Sequence, residues 1–217
     1  FPVLSRLGKK PLLLLPEPLK TKKGMWFFED MFFKDDVSSR SDLWLQFLAS
    51  LDHLCLHTAL SNYSCYSNYG DNTDVNLATF SVSIVEDALV DSYIARNYPD
   101  MLATQSYASA IAFLKLRKAD SIQNVSLKIQ TALLMKITSG TIIGEISGEM
   151  QMSVDYILDR LSWLKNSPNT LGMRKLNKDE AVTKVDEDKK KVVKEIYDEL
   201  MKYGKSLEVA ALPHQEH

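Results

Sequence analysis

Little in this chain points to cross-links, sharp turns or a membrane. It carries two cysteines in 217 residues. A single pair gives no disulfide framework, and Cys55 and Cys65 read as free thiols. Eight glycines and seven prolines are too few for a turn-rich all-β protein. The longest apolar run, "PLLLLP", falls far below the ~20 residues of a membrane helix, so the chain is expected not to be transmembrane. Of four histidines, His214 and His217 lie in the tail. Spacing identifies no nucleophile beside a base, and no residue set implies a cofactor.

Charge of one sign is also missing from the whole, but not from its parts. The net charge is −2. Residues 1–24 hold six Lys/Arg against one Glu, and residues 25–100 hold three basic against twelve acidic residues. This balance excludes a general, basic-faced nucleic-acid binder. It fits a basic segment that docks on an acidic neighbour. A first residue of Phe1 suggests a processed or trimmed chain. No secretion leader is visible, so the expected setting is intracellular, with an organelle as one option.

What is present is helical periodicity. Apolar residues make up 45% of the chain, enough to bury a core. Residues 41–60 show a wide apolar arc interrupted only by Gln46, Ser50, His53 and His57. This predicts a central helix capped by Ser41, with those four on a solvent stripe. Helices are predicted over 74–95, capped by Thr73 or Asp74, and from Pro99 to 118. Others follow over 120–137 and to about 165. A charged helix with a narrow seam (Val185, Val192, Ile196, Leu200) starts at the capping box "NKDE" and ends at Gly204. "MWFFEDMFFKDD" at 25–36 reads as a short helix or tight turn. The fold expected is therefore all-α: a helical domain of six or seven helices over 25–204. An extended basic Pro/Leu arm precedes it at 1–24, and a loosely ordered tail follows at 205–217.

Three patterns bear on function. Gly140, Gly144 and Gly148 recur every fourth residue. On a helix they would open a groove for close packing, which would offset the propensity loss. A helix break near "TSG" is the other reading. His53 and His57 have the spacing of two metal ligands on one helix, but the stripe reading above makes them exposed surface residues. Asp87 with Asp91, and Asp155 with Asp159, each share a helix face. Over eleven residues this pattern resembles the aspartate-rich helices of isoprenoid synthases, and the resemblance implies Mg²⁺ and a diphosphate substrate.

The leading functional expectation is a non-catalytic accessory or scaffold subunit whose partners are other protein subunits. Its arm would lay Leu12, Leu13, Leu14 and Leu15 into a partner's groove, with Lys9, Lys10, Lys20, Lys22 and Lys23 on acidic rim groups. The alternatives are a Mg²⁺-dependent helical enzyme using the paired aspartates, and a helical carrier with an apolar cavity.

Overall fold

The computed structural model describes residues 3–7, 10–29, 31–66, 73–172 and 178–212. Of residues 3–7, 10, 11 and 178–183 it describes the backbone only. Seven α-helices and five short strands occur among the described residues. The fold is all-α, as the periodicity implies, with its strands confined to the first 33 residues. The chain groups into two compact units. The first comprises Phe1–Ser61, Tyr93–Leu116 and Ala211–His217, and the second Asn62–Ser92 and Arg117–Ala210.

In the first unit the expected extended arm is instead folded. Strands β1 (Val3–Leu7) and β2 (Lys10–Leu14) pair antiparallel, with Val3 opposite Leu14. The hairpin packs on helix α1 (Val37–Leu60). The aromatic segment at 25–36, expected as a short helix or tight turn, instead supplies two strands of a second sheet, β3 (Leu19–Lys20), β4 (Trp26–Phe28) and β5 (Met31–Phe33), ordered β3-β4-β5. Alternation explains it. Trp26, Phe28, Met31 and Phe33 lie on one face, and Phe27 and Phe32 on the other. Phe28, Met31 and Phe33 join Leu43 in a buried cluster, with Trp26, Phe47 and Ile111 packed against it.

Helix α1 begins four residues earlier than the sequence suggests. Asp36 caps it, its carboxylate accepting from Ser39 N at 2.8 Å; an acid at this position satisfies an orphan amide. The solvent stripe predicted on α1 is its buried face. Gln46, Ser50, His53 and His57 are all buried, while Trp44 is 58% exposed. The reason is a partner that the local pattern does not show. Glu29, at the β4–β5 turn, sends a buried carboxylate to α1, where it accepts from Ser50 Oγ at 2.6 Å and Gln46 Nε2 at 3.1 Å. Further along the same face, His57 and His53 share a proton between Nε2 atoms 2.9 Å apart, and His57 Nδ1 meets Ser61 Oγ at 2.7 Å. Helix α3 (Pro99–Phe113) starts on its proline and packs on α1, with Gln105 Nε2 donating to Ala49 O at 2.6 Å.

In the second unit, α2 (Val75–Asn97, residues to Ser92 here) is capped by Asp74, whose carboxylate accepts from Leu77 N at 3.0 Å. Helix α4 (Val125–Ser139) is capped by Asn124. It packs on α5 (Gly148–Asn166), and α5 and the short α6 (Pro168–Gly172) both pack on α7 (Lys178–Leu200). The capping residue proposed for α7, Asn177, lies outside the described residues. The tail expected to be loose is clasped through Ala210. The buried Gln130 amide donates to Ser206 Oγ at 2.7 Å and accepts from Ala210 N at 3.0 Å. Residues 213–217 lie outside the described residues.

The helix-packing role expected of Gly140, Gly144 and Gly148 gives way to the helix break. Gly140 ends α4 with φ 74, and Gly148 opens α5; an added Cβ would meet open space at both. Gly144 lies in the connection with φ 92. A Cβ there would collide with Asp120 Oδ1 and come 2.9 Å from the backbone nitrogen of Ala119, which itself donates to Ile143 O at 2.8 Å. The three alanine variants should therefore separate. Gly144→Ala is expected to destabilise by roughly 2 kcal/mol through strain plus contact, and Gly140→Ala by about 1 kcal/mol through its left-handed backbone alone. Gly148→Ala is expected to be neutral or slightly stabilising. Urea unfolding of the three purified variants checks this order, and equal effects at 140 and 144 would contradict it.

Candidate binding surfaces

The β3-β4-β5 sheet presents two chemically different faces, both in the first unit. Its outer face is built by register. Leu19 stands opposite Phe27, and Phe27 opposite Phe32, so three apolar side chains line up across the strands. Leu19 is 58% and Phe32 55% exposed, and the Phe27 and Phe32 rings lie 5.0 Å apart. The turn between β3 and β4 carries Lys22 and Lys23, both exposed. Contiguous exposed apolar residues with a polar rim mark interaction surfaces.

The face carrying Trp26 opens on an apolar groove of about 560 Å³. Leu15–Pro18 form one wall, and Arg40, Leu43, Trp44 and Phe47 of α1 another. The spacing i, i+3, i+4, i+7 puts those four on one helical face. Trp44 and Phe47 stack with centroids 5.6 Å apart and planes 15° from parallel. Asp35 organises the rim. It accepts from Lys20 Nζ at 2.6 Å and Trp26 Nε1 at 3.0 Å, and Arg40 Nε lies 3.5 Å away. The Lys20 hydrogen bond, then that of Trp26, hold the Asp35 carboxyl below the ordinary carboxylate range. Lys20 Nζ also sits 5.6 Å from the Trp26 ring centroid.

The leucines and lysines singled out in the sequence divide accordingly. Leu12 (39%) and Leu14 (50%) are exposed, whereas Leu13 and Leu15 are half-buried, the alternation of a strand. Lys20 is held within its own unit by Asp35. Lys22 and Lys23 stay in solvent. Lys9 lies outside the described residues, as does the side chain of Lys10.

In the second unit the aspartate pairs do not assemble. Asp155 and Asp159 are exposed on α5 while Asp87 is buried. Among the described residues, no three of Asp87, Asp91, Asp155 and Asp159 lie close enough to hold one ion. The strongest polar constellation there is one that the sequence did not suggest. Lys189 of α7, 1% exposed, lies 2.9 Å from Glu86 Oε1 and 2.9 Å from Asp186 Oδ1. Tyr66 donates to Glu86 at 2.8 Å, and Asn62 to Asp186 at 2.6 Å. Burial works against the Lys189 charge, but Glu86 and Asp186 outweigh it and hold its pKa above the ordinary lysine range. Burial, with Glu86 beside it, drives the Tyr66 hydroxyl far above its usual range. Beside them the Cys65 thiol is pushed up by burial, so it stays protonated and a poor nucleophile. The set is a buried ion cluster in which one ammonium serves two carboxylates, each of which also accepts from a neutral donor.

Both cysteines are free thiols, Cys55 exposed and Cys65 half-buried. No helix among the described residues is long and apolar enough to cross a membrane. Compared with known protein families, curated proteins and solved structures, the chain matches none.

Proposed function

We propose that this protein is a non-catalytic helical accessory subunit that holds a different polypeptide through the outer face of its N-terminal sheet. The observation that carries the reading is the Leu19–Phe27–Phe32 row, with Leu19 and Phe32 exposed and Phe27 half-buried between them, in the sheet whose β3–β4 turn carries Lys22 and Lys23. Burying a row of this kind is favourable at roughly 25 cal/mol per Å². The aromatic centre with a basic rim fits a partner patch that is apolar in the middle and acidic at its edge. Leu12 and Leu14 extend the available apolar surface of the same unit. The surface differs from the one the sequence suggests: an ordered sheet face replaces an extended arm.

The test is the mass of the chain as isolated from its source, set beside the Leu19→Ser/Phe32→Ser double variant expressed there. The wild-type chain is expected in a defined assembly with another polypeptide. The double variant, with unchanged far-UV circular dichroism, is expected as the free chain. A wild-type chain found alone, or only as a dimer of itself, would overturn the proposal.

A further inference from the structure

We infer that the β4–β5 turn is a proton-operated latch: with Glu29 neutral the turn is held on helix α1, and loss of its proton to water lets the three-stranded sheet part from α1 while the helices of the unit stay folded. The latch belongs to the free chain. The inference stands whether or not a partner covers Leu19, Phe27 and Phe32.

Three separate features meet at Glu29. Its side chain is buried, and its contacts to α1 are neutral donors, Ser50 Oγ and Gln46 Nε2. No cation among the described residues pairs with it. A buried carboxylate so held is costly once ionised. Second, Gln46 Oε1 is buried without a hydrogen-bond partner. A site with a surplus acceptor fits the protonated carboxyl, which brings an O–H, better than the carboxylate, which brings none. Third, Glu29 has a left-handed backbone, φ 47, the one non-glycine residue so placed among the described residues. That conformation persists only while its surroundings hold it, so parting relieves it.

The charges nearby leave Glu29 to burial. Along the same face of α1 the next titratable group is His53, beyond Ser50, and it is engaged with His57. Lys20, Asp35 and Arg40 pair among themselves. Asp30 lies outside the described residues. Burial therefore dominates and pushes the Glu29 carboxyl from 4.5 up to about 7, with Ser50 and then Gln46 pulling it back in part.

The sheet is the element that this proton controls. Strands of two or three residues do not hold as a sheet by themselves. This one rests on α1 through Glu29 and through the packing of Phe28, Met31 and Phe33 on Leu43. In the parted state those three side chains reach solvent, so the chain shows them more often at neutral pH than in acid.

Amide hydrogen exchange of the full chain from pH 5 to 8, corrected for intrinsic rates, tests the latch. Protection of the β4 and β5 amides is expected to fall about fortyfold from pH 5 to 7 and only about twofold more by pH 8, from carboxyl values of 4.5 parted and about 7 closed. At each pH the amides of residues 49–57 in α1 should stay better protected, because local opening precedes unfolding of the unit. Glu29→Gln, which mimics the neutral form, should flatten the dependence. Ser50→Ala removes the larger hydrogen-bond support of the ionised form and should move the window to higher pH. Unchanged far-UV circular dichroism verifies both folds, and the wild-type series stands without them. Sheet protection independent of pH overturns the inference, as does an undiminished dependence in Glu29→Gln or an unmoved window in Ser50→Ala. Equal protection of sheet and α1 at every pH overturns it too, since the sheet would then leave α1 only when the whole unit unfolds.

Discussion

Replacing Lys189 with alanine is expected to destabilise the protein by about 3–5 kcal/mol, the cost of stranding buried charge. Two carboxylates depend on this one ammonium. Glu86 is 1% exposed, and Asp186 is buried beside it. Removing the cation leaves two negative groups near each other in a low-dielectric interior, with Tyr66 and Asn62 as their remaining side-chain donors among the described residues. Lys189→Met keeps the stem volume but loses the charge, so it should cost nearly as much. That comparison separates electrostatics from packing. A triple variant, Glu86→Gln/Asp186→Asn/Lys189→Met, removes all three charges together and should recover much of the loss. Urea unfolding followed at two probes measures each variant. A loss below about 1 kcal/mol in Lys189→Ala would show that water reaches the cluster and relieves it.

Raising the pH from about 4.5 to about 7 is expected to remove roughly 3 kcal/mol of stability through Glu29 alone. Burial pushes this carboxyl from 4.5 up to about 7, and the Ser50 and Gln46 hydrogen bonds pull it back only in part. The direction follows from proton counting. Between the two pKa values the folded chain keeps its Glu29 proton while the unfolded chain has lost it, so rising pH favours unfolding. Below about 4.5 both states are protonated, and above about 7 both are ionised, so the effect is flat outside the window. When Glu29 is protonated, turning the Gln46 amide over presents its carbonyl to the new O–H, and the contact with α1 survives. Glu29→Gln should abolish this component. The difference in unfolding free energy between wild type and variant, measured from pH 4 to 8, isolates it from every other titrating group. A difference that does not change with pH would mean that Glu29 is solvated.

These two side chains also show where sequence reading stops. The longer helices after residue 73 were legible because caps and periods agree locally: Asp74 before α2, Pro99 opening α3, Gly204 after α7; the short α6 (Pro168–Gly172) instead reads as loop in "NSPNTLG". The sheet was not. Its β4–β5 turn contains Glu29 at φ 47, where Asn or Gly would have announced a hairpin. Phe28, Met31 and Phe32 share a helical face as well as they fit two strands, so the aromatic segment has two valid periods. "LLLL" hides its alternation because every position is apolar. Helix α1 was found but started one turn late and was turned the wrong way, since its wheel cannot know that a distant carboxylate will satisfy Gln46 and Ser50. The glycine row is periodic by spacing, but the left-handed backbone at Gly140 and Gly144 keeps the three from lying on one helix. Lys189 left a faint trace. It interrupts the Val185–Val192–Ile196 seam at helical spacing, and a lysine there reads as a solvated break until Glu86 is placed beside it. The groove left no trace, because its walls come from segments some 25 residues apart in the chain and only the fold brings them to one space.

Cys55 is exposed on α1, eleven residues beyond Trp44. Eleven residues are about three helical turns, so both project from one side of the helix roughly 16 Å apart. An acceptor dye coupled to that native thiol would therefore sit within energy-transfer range of the Trp44 indole. Burial, and then Asp52, hold the Cys55 thiol above its ordinary range, so coupling should proceed faster in mildly alkaline buffer than at neutrality. The molecule thus comes with a built-in optical ruler, and the surroundings of Trp44 become readable without introducing a reporter residue.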